Sequence, residues 1–217
     1  MAIPKVIYQT YSSKSKVPWL AQYHIRQTRR MNPGYDYRFF DDNDIAMFIK
    51  KEFDENTFRQ YTKLNIGAAK ADFFRYAILL KKGGVYVDLD SRIVGNLDEW
   101  ILPDDTGIIT AERHPGMYVQ WALVYDAGHP FMQKTLANVL DNIKNNRYPH
   151  DIHKMTGPTV YSDSIRSCLS EDPSIRYREY GVDYEGNIKF KYWLSKLSYF
   201  RKEHWRKTQK RRPILTS

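Results

Sequence analysis

The chain has 217 residues and a formal net charge of +9, with 42% hydrophobic and 27% charged residues. That length suits one domain with a substantial core, and the composition excludes a disordered chain. The charge is local: ten basic residues stand against one acid over 189–212 and the remainder is balanced, which excludes a uniformly basic nucleic-acid coat.

After Pro4, residues 5–9 (Lys-Val-Ile-Tyr-Gln) have strand composition. Pro18 near a first turn predicts a helix over 18–31, stopped by Asn32-Pro33-Gly34. Residues 35–40 alternate aromatic with polar side chains and predict a second strand. Asp41, Asp42, Asn43 and Asp44 offer N-caps for a helix over 45–53. Asn65 can cap the next helix, in which Ile66, Ala69, Phe73, Tyr76, Ala77 and Leu80 recur at three and four residues and form one stripe. Gly83 and Gly84 end it. Val85, Tyr86 and Val87 then predict a strand that runs into Asp88-Leu89-Asp90. Strands over 107–111 and 119–125 and helices over 130–145 and 158–168 complete an alternating pattern. Such alternation predicts a single α/β domain over 1–217 with a largely parallel sheet and flanking helices. Its body, 1–188, is charge-neutral and its end, 189–217, is basic.

The single cysteine, Cys168, excludes an internal disulfide and a multi-cysteine zinc site. The N-terminus lacks an apolar signal core, and no run reaches the roughly 18 apolar residues of a membrane span. The expectation is a soluble, cytoplasmic monomer.

Asp88 and Asp90 carry the chemistry. A strand that ends in Asp-x-Asp sets two carboxylates at the carboxyl edge of the sheet, where open α/β sheets bind ligands. At a strand-to-loop bend they can converge on Mg2+ or Mn2+, which prefer oxygen and share substrate phosphates. Taken alone, the pair suits a solvated loop or a cap equally well. A calcium loop also begins Asp-x-Asp and would place Glu99 twelfth, but Arg92 and Ile93 occupy its fifth and sixth positions and exclude it. An aspartate-nucleophile phosphatase, with Asp88 attacking, is weakened by Arg92 but stays open. On the preceding helix Asp72 and Arg75 stand three apart beside the stripe. They suit a surface ion pair, or a site where Arg75 grips a phosphate or hydroxyl and Asp72 accepts from a hydroxyl.

Residues 68–90 (Ala-Ala-Lys-Ala-Asp-Phe-Phe-Arg-Tyr-Ala-Ile-Leu-Leu-Lys-Lys-Gly-Gly-Val-Tyr-Val-Asp-Leu-Asp) resemble the Asp-x-Asp sugar-binding region of family 32 glycosyltransferases. That family includes yeast-type mannosyltransferases and inositol-phosphoceramide mannosyltransferases, and the clostridial glucosylating toxins carry a related segment. Residues 3–11, 32–42, 128–131 and 156–158 resemble its other blocks, in the right order, so the likeness spans about the first 170 residues. Size and tyrosine content also resemble a chlorella-virus-type glycosyltransferase domain.

The resemblance implies a GT-A (nucleotide-diphospho-sugar transferase) fold, a UDP-sugar donor, a divalent ion (Mn2+ or Mg2+) and retention of anomeric configuration. It implies that Asp90 binds metal, that Asp88 binds metal or ribose, and that Asp72 and Arg75 contact the donor, with Asp88, Asp90 and Arg75 as the catalytic set. Tyr11 would stack on the base, and the backbone at Gln9, Thr10 and Tyr11 would read the uracil edge. Tyr8 and Tyr11 replace the usual His and Trp, and Gln120 lies where many members have Asn, so sugar and acceptor specificity stay open. The expected reaction moves a hexose or deoxyhexose from UDP to a carbohydrate or glycoprotein-glycan acceptor. An internal-return path, in which the leaving phosphate guides the acceptor, would fit the lack of an obvious base.

The basic segment interleaves cations with Tyr192, Trp193, Tyr199, Phe200 and Trp205. It suits a solvated amphipathic closing helix, a nucleic-acid surface or an anionic membrane surface through 189–212. The resemblance adds a cover for the donor diphosphate. There His204 is a third metal ligand, with His153 competing for that role, and Trp205 with Lys207 or Arg206 lies on the β-phosphate. That cover argues against nucleic acid as the partner. The non-enzymatic alternative is a basic nucleic-acid or membrane-binding module.

Overall fold

The structure is a computed structural model that describes residues 2–191 and 205–216, with backbone alone at 205 and 206. The strands are β1 (Val6–Thr10), β2 (Asp36–Phe40), β3 (Gly84–Val87), β4 (Arg92–Ile93), β5 (Gly107–Ala111), β6 (Ala122–Tyr125), β7 (Arg178–Val182) and β8 (Ile188–Lys189). The main helices are α1 (Trp19–Met31), α2 (Asp42–Glu52), α3 (Glu55–Thr62), α4 (Gly67–Lys82), α5 (Pro130–Lys144), α6 (Ile152–Met155) and α7 (Pro158–Glu171). A further helix, Trp205–Arg211, lies near the C-terminus.

Six strands form the main sheet in the order β2-β1-β3-β6-β5-β7, and β4 pairs with β8 in a separate ribbon. β1 runs parallel to β2 and β3, and β5 parallel to β7, while β6 is antiparallel to both neighbours. β1, β2 and β3 therefore end at one edge, at Thr10, Phe40 and Val87. Strand alternation divides the core between the two faces of the sheet. Tyr8, Tyr86 and Tyr125 join Phe73, Phe74 and Leu79 of α4 and Leu136 and Val139 of α5. Ile7, Val85, Val87 and Val124 join Trp100, Trp121, Tyr184 and Ile188.

Local chemistry sets the elements that hold the site. Asp41 starts α2 with a capping box, its carboxylate accepting from Asn43 and Asp44 N–H while Asp44 reaches back to Asp41 N–H. α4 is buried almost all round, from Asp72 to Leu79, so the single stripe of the sequence is in fact most of the helix. Its N-cap position is Ile66 rather than Asn65, and Asn65 N–H donates to the Ile214 carbonyl, 2.7 Å away. Gly83 ends α4 at φ +62°, where a Cβ would stand 2.6 Å from Ala127 N and 2.8 Å from Pro4 Cδ. The chain can thus turn at once from α4 into β3.

The expected strand over 119–125 is regular from Ala122 to Tyr125, and before it Val119 N–H donates to the Thr110 carbonyl at 2.9 Å. α3, α6, β4, β7 and β8 were not foreseen. Of the closing helix suited to 189–212, the described residues show strand at Ile188–Lys189 and helix at Trp205–Arg211, and 192–204 lie outside the described residues. The tail is stitched to the body at Leu64↔Leu215, Pro149 and Lys63. Cys168 is buried and free. No helix among the described residues is long and apolar enough to cross a membrane.

Candidate active site

β3 ends at Val87, and the chain turns at once, with Ser91 N–H donating to the Asp88 carbonyl at 2.9 Å. Asp88 and Asp90 therefore stand in a bend at the carboxyl edge. Asp88 N–H donates to the Trp121 carbonyl at 2.8 Å. The Gln9 amide donates to the Asp88 carbonyl at 3.4 Å, and Tyr37 hydroxyl donates to Gln9 Oε1 at 2.9 Å. β1 and β3 are thus tied together where they end.

Behind the bend lies a buried polar cluster. Arg75 Nη2 donates to Asp88 Oδ1 at 2.8 Å and lies 3.3 Å from Asp72 Oδ1. Nη1 donates to the Gln120 carbonyl at 2.8 Å, and the guanidinium sits 4.9 Å from the Tyr86 ring centre. Tyr86 hydroxyl donates to Asp88 Oδ1 at 3.0 Å. The Gln120 amide donates to Asp72 Oδ1 at 2.9 Å and to Tyr76 hydroxyl at 2.8 Å. Thr156 hydroxyl donates to Asp72 Oδ2 at 2.9 Å. The Asp72–Arg75 pair, readable from sequence as a surface ion pair, is instead interior, at 8% and 4% side-chain exposure. A buried pair tolerates desolvation only when its remaining atoms are hydrogen-bonded, and Gln120, Thr156 and Asp88 supply those bonds. Arg75 Nε is the exception, buried with no partner.

Burial pushes the Asp72 carboxyl up to about 6, against Arg75 and the bonds from Gln120 and Thr156. Burial also raises Asp88, opposed by Arg75 and Tyr86. Asp90 is pushed to about 6 by burial and then by the charge of Asp88. Two carboxylates that resist ionising beside each other form an oxygen donor set that a divalent cation would relieve. Among the described residues no group of three or more His, Cys, Asp or Glu is placed to hold a metal. Two carboxylates in one bend fit an ion that takes one or two protein carboxylates and completes its shell from substrate. His204 lies outside the described residues.

Asp72, Arg75, Asp88 and Gln120 thus come together with Asp90 and Gln9. Thr10 hydroxyl donates to the Phe40 carbonyl at 2.8 Å, and Tyr11 N–H donates to the same carbonyl, both at the same edge. Lys207 is exposed, on a helix held through Gln209 to His150 and Ile152. Trp205 begins that helix. Sequence inspection missed Tyr86 and Thr156. Tyr86 was within reach, because residues two apart at a strand end share a face with Asp88. Thr156 lies 84 positions from Asp72, and only the fold joins them.

Residues 18–106 match the family model described as "Glycosyltransferase sugar-binding region containing DXD motif". An uncharacterized glycosyltransferase of Acanthamoeba polyphaga mimivirus is 36% identical over 178 residues, covering 79% of this chain and 68% of that one. The chain belongs to this DXD glycosyltransferase family. The initiation-specific alpha-1,6-mannosyltransferase of Schizosaccharomyces pombe is 25% identical over 196 residues, covering 77% of this chain. The chain spans 49% of the length of that relative. The solved "PaToxG Glycosyltransferase" superposes with a TM-score of 0.62 at 20% identity, covering 79% of this chain and 70% of that one. The fold is GT-A, with the mostly parallel sheet and flanking helices expected. Membership in the DXD family replaces the phosphatase and the non-enzymatic basic module as the frame for Asp88 and Asp90. The family's DXD chemistry calls for a nucleotide-sugar and a divalent metal.

Proposed function

We propose that the chain transfers a hexose or deoxyhexose from a nucleotide-diphosphate sugar to a carbohydrate or glycan acceptor, with retention of configuration, at the Asp88–Asp90 bend. The observation that carries this is the placing of Asp88 and Asp90 in the bend that ends β3 at the common edge of β1, β2 and β3, with Asp88 held by Arg75 and Tyr86, inside the segment that matches the family model.

Asp88 and Asp90 would hold the divalent ion, Mn2+ or Mg2+. When bound, it neutralises charge on the leaving diphosphate as the glycosidic bond breaks. Arg75 opposes the upward push of burial on the Asp88 carboxyl and fixes the orientation of one of its oxygens through the 2.8 Å bond. Tyr86 shares that oxygen. Asp72, held by Gln120 and Thr156, supplies the opposing charge that keeps Arg75 in place. With both oxygens engaged, Asp72 acts on the donor chiefly through Arg75 and Asp88. Gln9, Thr10 and Tyr11 lie where a base would approach the ends of β1 and β2.

UDP follows from the family resemblance of the sequence. The named mannosyltransferase relative favours mannose as the sugar, so the base needs a direct test. The test is a calorimetric screen of UDP- and GDP-sugars with and without Mn2+, on wild type and Asp90→Ala. Metal-dependent binding of one donor, lost in the variant, is the expected result. Binding of no nucleotide-sugar by wild type would overturn the proposal.

A further inference from the structure

Away from the bend, a cleft of about 430 Å³ opens between α1 and β2, lined by Arg26, Arg29, Arg30, Pro33, Tyr35 and Tyr37. Tyr35 and Tyr37 pack on the face of the sheet opposite α4. The positive charge of the cleft is unbalanced. α1 contains no acid, and no carboxylate among the described residues pairs with Arg26, Arg29 or Arg30. The nearby acids are taken. Asp36, which also borders the cleft, binds Arg38 at 2.7 Å. Asp98 accepts from Tyr35 hydroxyl at 3.0 Å and binds Lys5 at 2.7 Å. The Arg29 guanidinium lies over the Tyr37 ring, 6.0 Å from its centre.

The cleft is one end of a longer surface. Trp19, Tyr23, Arg26 and Arg30 recur at four, three and four residues, so they share one face of α1. All four are exposed, the two aromatics at 74% and 49%. Trp, Tyr and Arg are the side chains that carry most of the energy of binding surfaces. β1 ends at the carboxyl edge at Thr10, and β2, parallel to it, starts from the opposite edge at Asp36. α1 joins them and therefore runs from the edge that holds Asp88 back toward the other. Its exposed face spans about 16 Å from Trp19 to Arg30, with the aromatics toward the donor bend and the cations leading away. The Tyr37 wall of the cleft is joined to that bend through Gln9, which accepts from Tyr37 hydroxyl at 2.9 Å and donates to the Asp88 carbonyl at 3.4 Å.

This arrangement selects among ligands. Guanidinium forks bind carboxylate and sulfate in a bidentate way. Arg26 and Arg30 stand about one turn, roughly 6 Å, apart along the axis, which suits anionic groups on successive units rather than a single ion. Aromatic rings beside them suit the C–H faces of sugars. A bilayer would meet a flat or convex face, whereas these arginines line a concavity.

We propose that the exposed face of α1 and its cleft bind an acidic glycan, with carboxylate or sulfate on successive sugars, and that this glycan is the acceptor. The acceptor role rests on the glycosyltransferase reading of the site. Sugars on Trp19 and Tyr23 lead to the donor bend, and the charged units seat among the arginines.

The test measures binding of hexagalacturonate, a heparin hexasaccharide and neutral maltohexaose by calorimetry, beside binding of the nucleotide-sugar in Mn2+. It compares wild type, Trp19→Ser, the double variant Arg26→Gln/Arg30→Gln and a charge-matched double variant of exposed tail residues, Lys210→Gln/Arg212→Gln. Wild type should bind one acidic hexasaccharide at least tenfold more tightly than maltohexaose. The α1 double variant should lose at least tenfold of that affinity, Trp19→Ser at least threefold and the tail variant less than twofold. All three variants should keep the metal-dependent donor binding of wild type. Equal losses in the two double variants would overturn the proposal, because net charge alone would then explain them. Binding of neither acidic glycan would overturn it, as would tighter binding to phosphatidylserine vesicles or single-stranded DNA. Each of those results leaves donor binding, and with it the functional reading, intact. Failure of wild type to bind any nucleotide-sugar would overturn that reading and the acceptor role together.

Discussion

The two halves of the site carry the same kind of charge and use it in opposite ways. On α4, Asp72 gives both carboxylate oxygens to protein donors and faces Arg75 inside the core. At the bend, Asp88 gives one oxygen to Arg75 and Tyr86, and Asp90 is burdened by its neighbour's charge. A satisfied buried network specifies one geometry. A pair of carboxylates left in repulsion stores demand for a cation. The first half therefore behaves as scaffold and the second as receptor, and Arg75 connects them. Substitutions in the two halves should separate these roles.

Asp90→Ala should have the largest effect. Removing a metal-holding carboxylate should lower transfer about a thousandfold and abolish metal-dependent donor binding, with a melting temperature no lower than wild type. A variant that unfolds instead would make Asp90 part of the scaffold.

Arg75→Met should show the converse pattern. It strands Asp72 and Asp88 without their common counter-charge, and breaking a buried pair costs about 3–5 kcal/mol. Denaturant unfolding should show that loss. A stability change under about 1 kcal/mol would mean that the cluster is wetter than its burial indicates. Thr156→Val is milder, because it keeps the shape and removes one donor from Asp72. The expected cost is about 1–2 kcal/mol, with donor affinity nearly unchanged if Asp72 acts through Arg75. A donor affinity that falls tenfold while stability holds would place Asp72 in direct contact with the sugar.

The helix and the strand that carry the two halves were legible in the sequence, and the long-range partners that complete them were not. The spacing of Phe73, Tyr76 and Leu80 and the Gly83-Gly84 stop announce α4, and Val85–Val87 announces the strand that carries Asp88, because these signals are local. β7 left no such trace, since Arg178–Val182 lies at the sheet edge and is only partly buried. β4 and β8 are two residues each and exist only through their pairing, so neither could be read from its own segment. Burial of Asp72 and Arg75 was hidden for a similar reason. Their partners Gln120 and Thr156 come from distant parts of the chain, and a pair at i and i+3 looks alike on a surface and in a core.

The smallest expected effect isolates the repulsion at the bend. Burial, then Asp88, raises the Asp90 carboxyl from 3.8 to about 6, so the folded protein holds a proton that the unfolded chain has already lost. Between about pH 4 and 6 the folded state binds more proton at this position, and stability falls as pH rises. Below that window both states are protonated; above it both are ionised and the penalty is constant. Asp72, raised to about 6 by burial, acts in the same direction. His129 acts in the opposite one: burial lowers it from 6.5 to about 4, so the unfolded chain binds the proton first and stability rises with pH. A single stability curve mixes these titrations, but the difference between wild type and Asp90→Asn removes those the two proteins share. In chelator, the asparagine variant should gain on wild type from pH 4 to 6, by on the order of 1–2 kcal/mol, and then hold level. Saturating Mn2+ should reverse the order above pH 6, because the ion binds the folded wild type and finds one carboxylate fewer in the variant. Denaturant unfolding across that pH range, with chelator and with Mn2+, reads both changes. A flat difference in chelator would mean that Asp88 and Asp90 do not repel in the empty enzyme, and that the bend is as satisfied as the cluster behind it.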